Sequence, residues 1–255
     1  MLRTRVIPCL LLRNRGLVKT IRFKDPCYIG DPINTVRIYN EKGVDELIFL
    51  DITATTEQKP PQLEFVHGIA SECFMPLTYG GGVTSIGQMA AIYTLGAEKV
   101  ALCTAAFEDP SLVERAAARF GSQAVVVSID VKRHRLFGRG YVVHVQSGHV
   151  DTKLDPVAYA RRMECLGAGE ILLTSIDRDG TMQGYDLELI ERVASAVNIP
   201  VIACGGAGAI EHLSQAISAG ANAVAAGSLL VYQGKNRAVL INFPSRDELR
   251  AVGVS

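Results

Sequence analysis

The sequence predicts a (β/α)8 barrel made of two similar halves, and three observations carry the prediction. Short apolar runs bounded by Gly, Asp and Thr alternate with amphipathic segments of roughly 12 to 15 residues, the rhythm of a parallel sheet with crossover helices. Eight such units fit into 255 residues, the usual size of this barrel, and no G-x-G-x-x-G fingerprint follows the first strand to favour a doubly wound sheet. The chain also matches itself at a lag of about half its length. "ELIFLDITAT" is similar to "EILLTSIDRDGT", and "MPLTYGGGVTSIGQMAAIYTLGAEKVALCT" to "IPVIACGGAGAIEHLSQAISAGANAVAAGS".

Taken in order, the strands are expected near 4–11, 46–51, 75–79, 98–102, 123–129, 169–174, 199–204 and 222–226. Each has a short apolar core, as a strand covered on both faces should have. Helical spacing places helices at 32–43, 60–73, 85–96, 110–120, 155–167, 186–197 and 209–220, and several stop at a glycine, as at Gly43 and Gly220. An eighth helix is only weakly marked. Residues 1–255 are expected to form one barrel domain, with a distinct tail at about 232–255. In that tail an extended run precedes a short helix opened by Ser245, with Glu248 at capping-box spacing.

Composition narrows the function. Twenty-six basic residues balance 26 acidic ones, so no global field attracts nucleic acid or an anionic membrane, and any anion must be bound locally. No apolar run reaches the roughly 20 residues needed to span a bilayer, and a cytoplasmic location is the expectation. Six scattered cysteines read as free thiols, and His144 and His149 as a polar loop, so no metal site and no cofactor is expected.

Chemistry in such a barrel gathers at the C-terminal ends of the strands. Two glycine clusters fall there at equivalent positions of the two halves, Gly80-Gly81-Gly82 and Gly205-Gly206. Backbone amides approach a phosphate closely only where no Cβ obstructs them. Thr104 on one side, and Gly227 with Ser228 on the other, would complete two cups for a ligand phosphorylated at both ends. Asp130 ends a very apolar strand, where a carboxylate needs a partner or a task. Its equivalent in the first half is Leu11. Asp51 and Asp177 form another pair at strand ends, followed by Asp179, and these either orient substrate hydroxyls or hold loops. Thr174 and Lys19, the latter beyond a basic loop after the first strand, complete the candidate ligand contacts.

These residues carry a resemblance to the cyclase subunit of imidazole glycerol phosphate synthase, the histidine-pathway glutamine amidotransferase. It rests on "VIPCL", "DELIFLDITAT", "PLTYGGGV", "FGSQAVVVSID", "GAGEILLTSIDRDGTMQGYDLELI" and "IPVIACGGAGAIEH", spanning residue 1 to about 230. The resemblance implies a barrel that receives ammonia from a glutaminase docked on its N-terminal face, through a ring of charges at Arg5, Glu46, Lys99 and Glu170. It also implies two catalytic aspartates, mapping to position 11 and Asp130, of which only Asp130 is present. Cys103 stands where the family usually has asparagine, which would weaken a polar contact near the first cup, and the tail differs from the family's closing helix.

The departures are similar to a divergent branch associated with sugar amidation in surface-polysaccharide synthesis. In that branch ammonia passes to a third, sugar-modifying protein that turns an acetamido group into an acetamidino group. Three readings are thus carried forward: an ammonia-handling paralogue, a cyclase/lyase of histidine biosynthesis, and a phosphosugar isomerase of the related type. Leu11 counts equally against the last two, and the ring of charges counts further against the isomerase.

Overall fold

The structure, a computed structural model, describes residues 4–134 and 140–254. Eight parallel strands close on one another: β1 (Arg5–Arg13), β2 (Leu47–Asp51), β3 (Leu77–Gly80), β4 (Lys99–Leu102), β5 (Val125–His134), β6 (Glu170–Ser175), β7 (Val201–Cys204) and β8 (Ala223–Ala226). Closure comes from the pairing of β1 with both β2 and β8, with Leu11 opposite Leu50 and Ile7 opposite Ala225. This is the expected (β/α)8 barrel.

Helices α1 (Pro32–Lys42), α2 (Leu63–Glu72), α3 (Ile86–Thr94), α4 (Ser111–Phe120), α5 (Pro156–Cys165), α6 (Leu187–Ala194) and α7 (Ile210–Ser218) lie between the strands. Their ends follow from the sequence. Asp31 accepts a hydrogen bond from the Asn34 amide at the start of α1, Pro32 supplies the first helical position, and Gly43 closes the helix at φ 63°. Ser85 and Gln88 form a reciprocal capping box on α3, and Asp155 caps α5 by accepting from two amides. Among the described residues no helix is long and apolar enough to cross a membrane.

Inside the barrel, alternate residues of each strand point to the axis, and they stack in layers. The lowest holds Arg5, Glu46, Thr78, Lys99 and Glu170. Above it Ile7, Ile48, Ala101, Val126, Leu172, Ile202 and Ala223 form an apolar plug. The larger cluster around Tyr39, Phe49, Leu77, Met89 and Ile92 fills the space between barrel and helices.

The expected loops after β1 and β5 are instead antiparallel extensions of the sheet. Strand Gly16–Ile21 turns back on β1 and pairs onward with Lys24–Gly30, while Gly140–Val145 turns back on β5 and pairs with Val150–Asp151. Lys19 therefore sits on a strand folded over the barrel mouth. The two excursions repeat the half-barrel symmetry. Their tips meet, since a Cβ placed on Gly148 would lie 3.1 Å from the Phe23 ring. In the tail, Tyr232–Gln233 pairs with Ala238–Val239, and the helix Arg246–Ala251 opens on the expected Ser245–Glu248 capping box.

Candidate functional site

A cavity of about 420 Å³ opens at the C-terminal ends of the strands, lined by residues of all eight barrel strands or the turns that follow them. It gathers Lys19, Asp51, Gly81, Gly82, Thr104, Asp130, Thr174, Asp179, Gly205, Gly206, Gly227 and Ser228, while Asp177, the other candidate for substrate hydroxyls, lies outside its lining. Leu11 and Cys103 line it too.

Both glycine turns are tight because neighbouring backbone occupies the space of a side chain. A Cβ on Gly81, at φ 120°, would lie 2.5 Å from the Asp51 carbonyl, and one on Gly206, at φ 116°, would collide with the carbonyl of Gly184. The two turns hold equivalent places, after β3 and after β7. Thr104 and Ser228 each open a short helix at the end of the next strand, Thr104–Glu108 and Ser228–Val231. The Thr104 hydroxyl accepts from the Gln146 amide at 2.9 Å and keeps its own proton to donate.

Lys19 is 5% exposed, and its ammonium lies over the Cα of Gly227, beside the second turn. It has no ion pair or hydrogen bond with any described residue. Its ammonium opens onto the cavity, where a bound anion would give it an ion pair.

Asp130 is buried beside Cys103, whose thiol donates to Oδ2 at 3.6 Å, and near Ser128, whose hydroxyl stands 3.5 Å from Oδ1. Burial pushes its carboxyl up to about 7. Cys103 opposes the shift, Asp179 adds to it, and Ser128 and Thr174 pull the other way. The group therefore exchanges a proton near neutral pH, the property a general acid or base needs. Neither Lys132 nor Arg133 pairs with it: Lys132 donates to the Gly148 carbonyl and Arg133 binds Asp186 and Glu188. Cys103 is thus tied to the carboxylate, rather than simply weakening the first cup. Burial and the neighbouring Asp130 raise its own thiol well above the ordinary range, so it stays neutral.

The other carboxylates are engaged in holding loops. Oδ1 of Asp51 accepts from the Thr53 amide and hydroxyl and from the Ala54 amide, an Asx turn. Asp177 accepts from the Arg133 amide at 2.8 Å. Asp179 accepts from the Thr20 hydroxyl at 2.8 Å, and the Arg22 amide donates to its carbonyl, tying the first hairpin across the mouth. Sequence reasoning did not single out Ser128 or Phe23, which also line the cavity. Ser128 precedes Asp130 by two residues on one strand, so period-two spacing would have placed it on the same face. Phe23 gave no signal, standing in a polar run.

At the opposite end of the barrel the four charges close into a ring. Arg5 reaches Glu46 at 2.7 Å and Glu170 at 2.8 Å, while Lys99 reaches the same two carboxylates at 3.0 and 2.9 Å. The Thr78 hydroxyl donates to Glu46 at 3.1 Å. The pairing expected of charges at the barrel bottom is present.

A closed parallel barrel with a polar cavity at the strand C-termini and a charged ring at the other end defines a TIM-barrel protein with its ligand site in the usual place. The family model described as "Histidine biosynthesis protein" matches residues 5–237, and the chain belongs to that family. Within it the chain is HisF-like. A Pseudomonas aeruginosa protein provisionally named as an imidazole glycerol phosphate synthase subunit is 52% identical over 250 residues, 98% of this chain and 99% of that one. A provisionally named HisF subunit of Leptospira interrogans is 45% identical over 253 residues, 99% of both chains. The imidazole glycerol phosphate synthase subunit HisF of Alkaliphilus metalliredigens is 48% identical over 233 residues, 91% of this chain and 92% of that one.

Proposed function

We propose that this HisF-like barrel receives ammonia from a glutaminase docked over the ring of Arg5, Glu46, Lys99 and Glu170, and serves sugar amidation in polysaccharide synthesis. A phosphorylated ligand occupies the two cups at the other end, and a third protein converts the acetamido group to an acetamidino group. The observation that carries this reading is an asymmetry between the two ends: the ring is complete and fully paired, while the mouth has Leu11 where the symmetry of the halves would set a second aspartate. Leucine transfers no proton, and an acid–base group contributes about 10² to 10⁴ in rate.

A second reading is favoured by Asp130 itself, whose carboxyl titrates near 7 inside a cavity with two cups. On that reading the barrel is a working cyclase/lyase that makes imidazole glycerol phosphate and aminoimidazole carboxamide ribotide, with Asp130 acting alone or with a substitute.

Turnover of the bis-phosphorylated aminoimidazole ribonucleotide with saturating ammonia separates the two. Under the first reading the wild-type protein is inactive. Clear wild-type turnover that disappears in Asp130→Asn would replace it with the second.

A further inference from the structure

Within the cavity the two halves of the barrel offer opposite chemistry at matching places. On β1 and β2, Leu11 stands in register with Leu50. On β5 and β6, Asp130 stands in register with Thr174. All four line the cavity between the glycine turns, and Ser128 extends the polar side as Ala101 floors the space between. Between Asp51 and Lys19, which flank it, the leucine pair can only exclude water. The facing wall donates and accepts hydrogen bonds through Thr174, Ser128 and the Asp130 carboxyl.

From this pairing we propose that the ligand spanning the cups is two-faced along its middle. One edge is apolar and lies on Leu11 and Leu50; the other carries hydrogen-bonding atoms for Asp130 and Thr174. The substrate class is a molecule with a phosphate-type anion at each end and a methyl- or methylene-bearing edge between them, rather than one hydroxylated on both sides. A hydroxyl pressed against the leucine wall would lose its water and find no partner, which a site discriminates against strongly. The inference rests on the two-cup reading above and adds what lies between the cups.

The test uses two bisphosphates of equal length, octanediol bisphosphate and triethylene glycol bisphosphate, with inorganic phosphate as a third probe, titrated calorimetrically into the full chain. The quantity read is the ratio of the glycol's Kd to the alkane's. Leu11→Asn adds a polar group without adding charge and should lower that ratio about tenfold, within the range one group in an apolar pocket commands. Leu11→Met, apolar and similar in volume, should leave it unchanged. Thr174→Val, which makes the polar wall apolar, should raise it, and this keeps the test open should the Leu11→Asn protein fail to fold. Equal ratios in wild type, Leu11→Asn and Thr174→Val would overturn the two-faced ligand while leaving the cups in place. Binding of phosphate but of neither bisphosphate would overturn a spanning ligand, and no binding of any probe would overturn the cups and this inference together.

Discussion

Leu11 is registered against Leu50 as Asp130 is against Thr174, so the two halves of one barrel hold a leucine and an aspartate in the same place. Asp130 ionises near 7 in the folded protein, against an ordinary 3.8, with burial as the largest cause.

That shift predicts a pH-dependent stability. The folded state holds the Asp130 proton more tightly than the unfolded chain does, so the stabilisation is complete below about pH 4 and is lost as pH rises through about 7. Asn cannot ionise. Asp130→Asn should therefore gain stability relative to wild type between about pH 5 and pH 8, by on the order of a few kcal/mol. Urea unfolding of both proteins across that range measures it, and a difference that stays flat with pH would mean the carboxyl is not shifted.

The charged ring predicts a strong and reversible penalty. Glu46 is almost wholly buried and receives both Arg5 and Lys99. Lys99→Met should destabilise the protein by about 2 to 4 kcal/mol, the range for leaving a buried charge short of a partner, reduced for the partial exposure of Lys99. Adding Glu46→Gln to Lys99→Met should restore much of that loss. Denaturant midpoints of the two single variants and the double variant form the cycle, and simple additivity would show that the ring is not coupled.

Much of this architecture was legible because period and punctuation are local signals. The strand expected at 169–174 is β6 (Glu170–Ser175), and the helix expected at 110–120 is Ser111–Phe120. The hairpins were not legible. The first turns on Asn14 and Arg15, both at positive φ (50° and 64°), without the Asn-Gly or Asp-Gly pair that announces such a turn. The second hairpin alternates in burial along Gly140–Val145, but Val142 on the less buried face hid that period in the sequence "GYVVHV". Glycines and strand ends marked the cavity correctly, whereas the partners of Asp51, Asp177 and Asp179 depend on contacts between distant segments, which spacing does not encode.

The glycine turns predict different costs from one substitution. Gly43 also has positive φ, 63°, but nothing lies within 4 Å of its would-be Cβ. Gly43→Ala should cost roughly 1 kcal/mol, the backbone term alone. Gly206→Ala adds a collision with the Gly184 carbonyl and should cost at least about 2 kcal/mol more, or shift the turn enough to abolish phosphate binding. Thermal unfolding with and without phosphate compares them; similar losses in both variants would show that the turn after β7 yields easily.

Lys19 makes the sharpest case for a bound anion. Its ammonium opens onto the cavity beside Gly227 and makes no ion pair or hydrogen bond with a described residue, so a phosphate seated in that cup would give it a partner. Lys19→Met keeps most of the stem packing and removes the charge. In phosphate-free buffer the variant should be as stable as wild type or more so. In phosphate, wild type should rise in Tm with the logarithm of concentration above its Kd, while the variant should keep only the smaller rise that the first cup supplies. The two curves then cross, and a charge buried for structural reasons alone would produce no crossing, because its removal would shift both conditions equally.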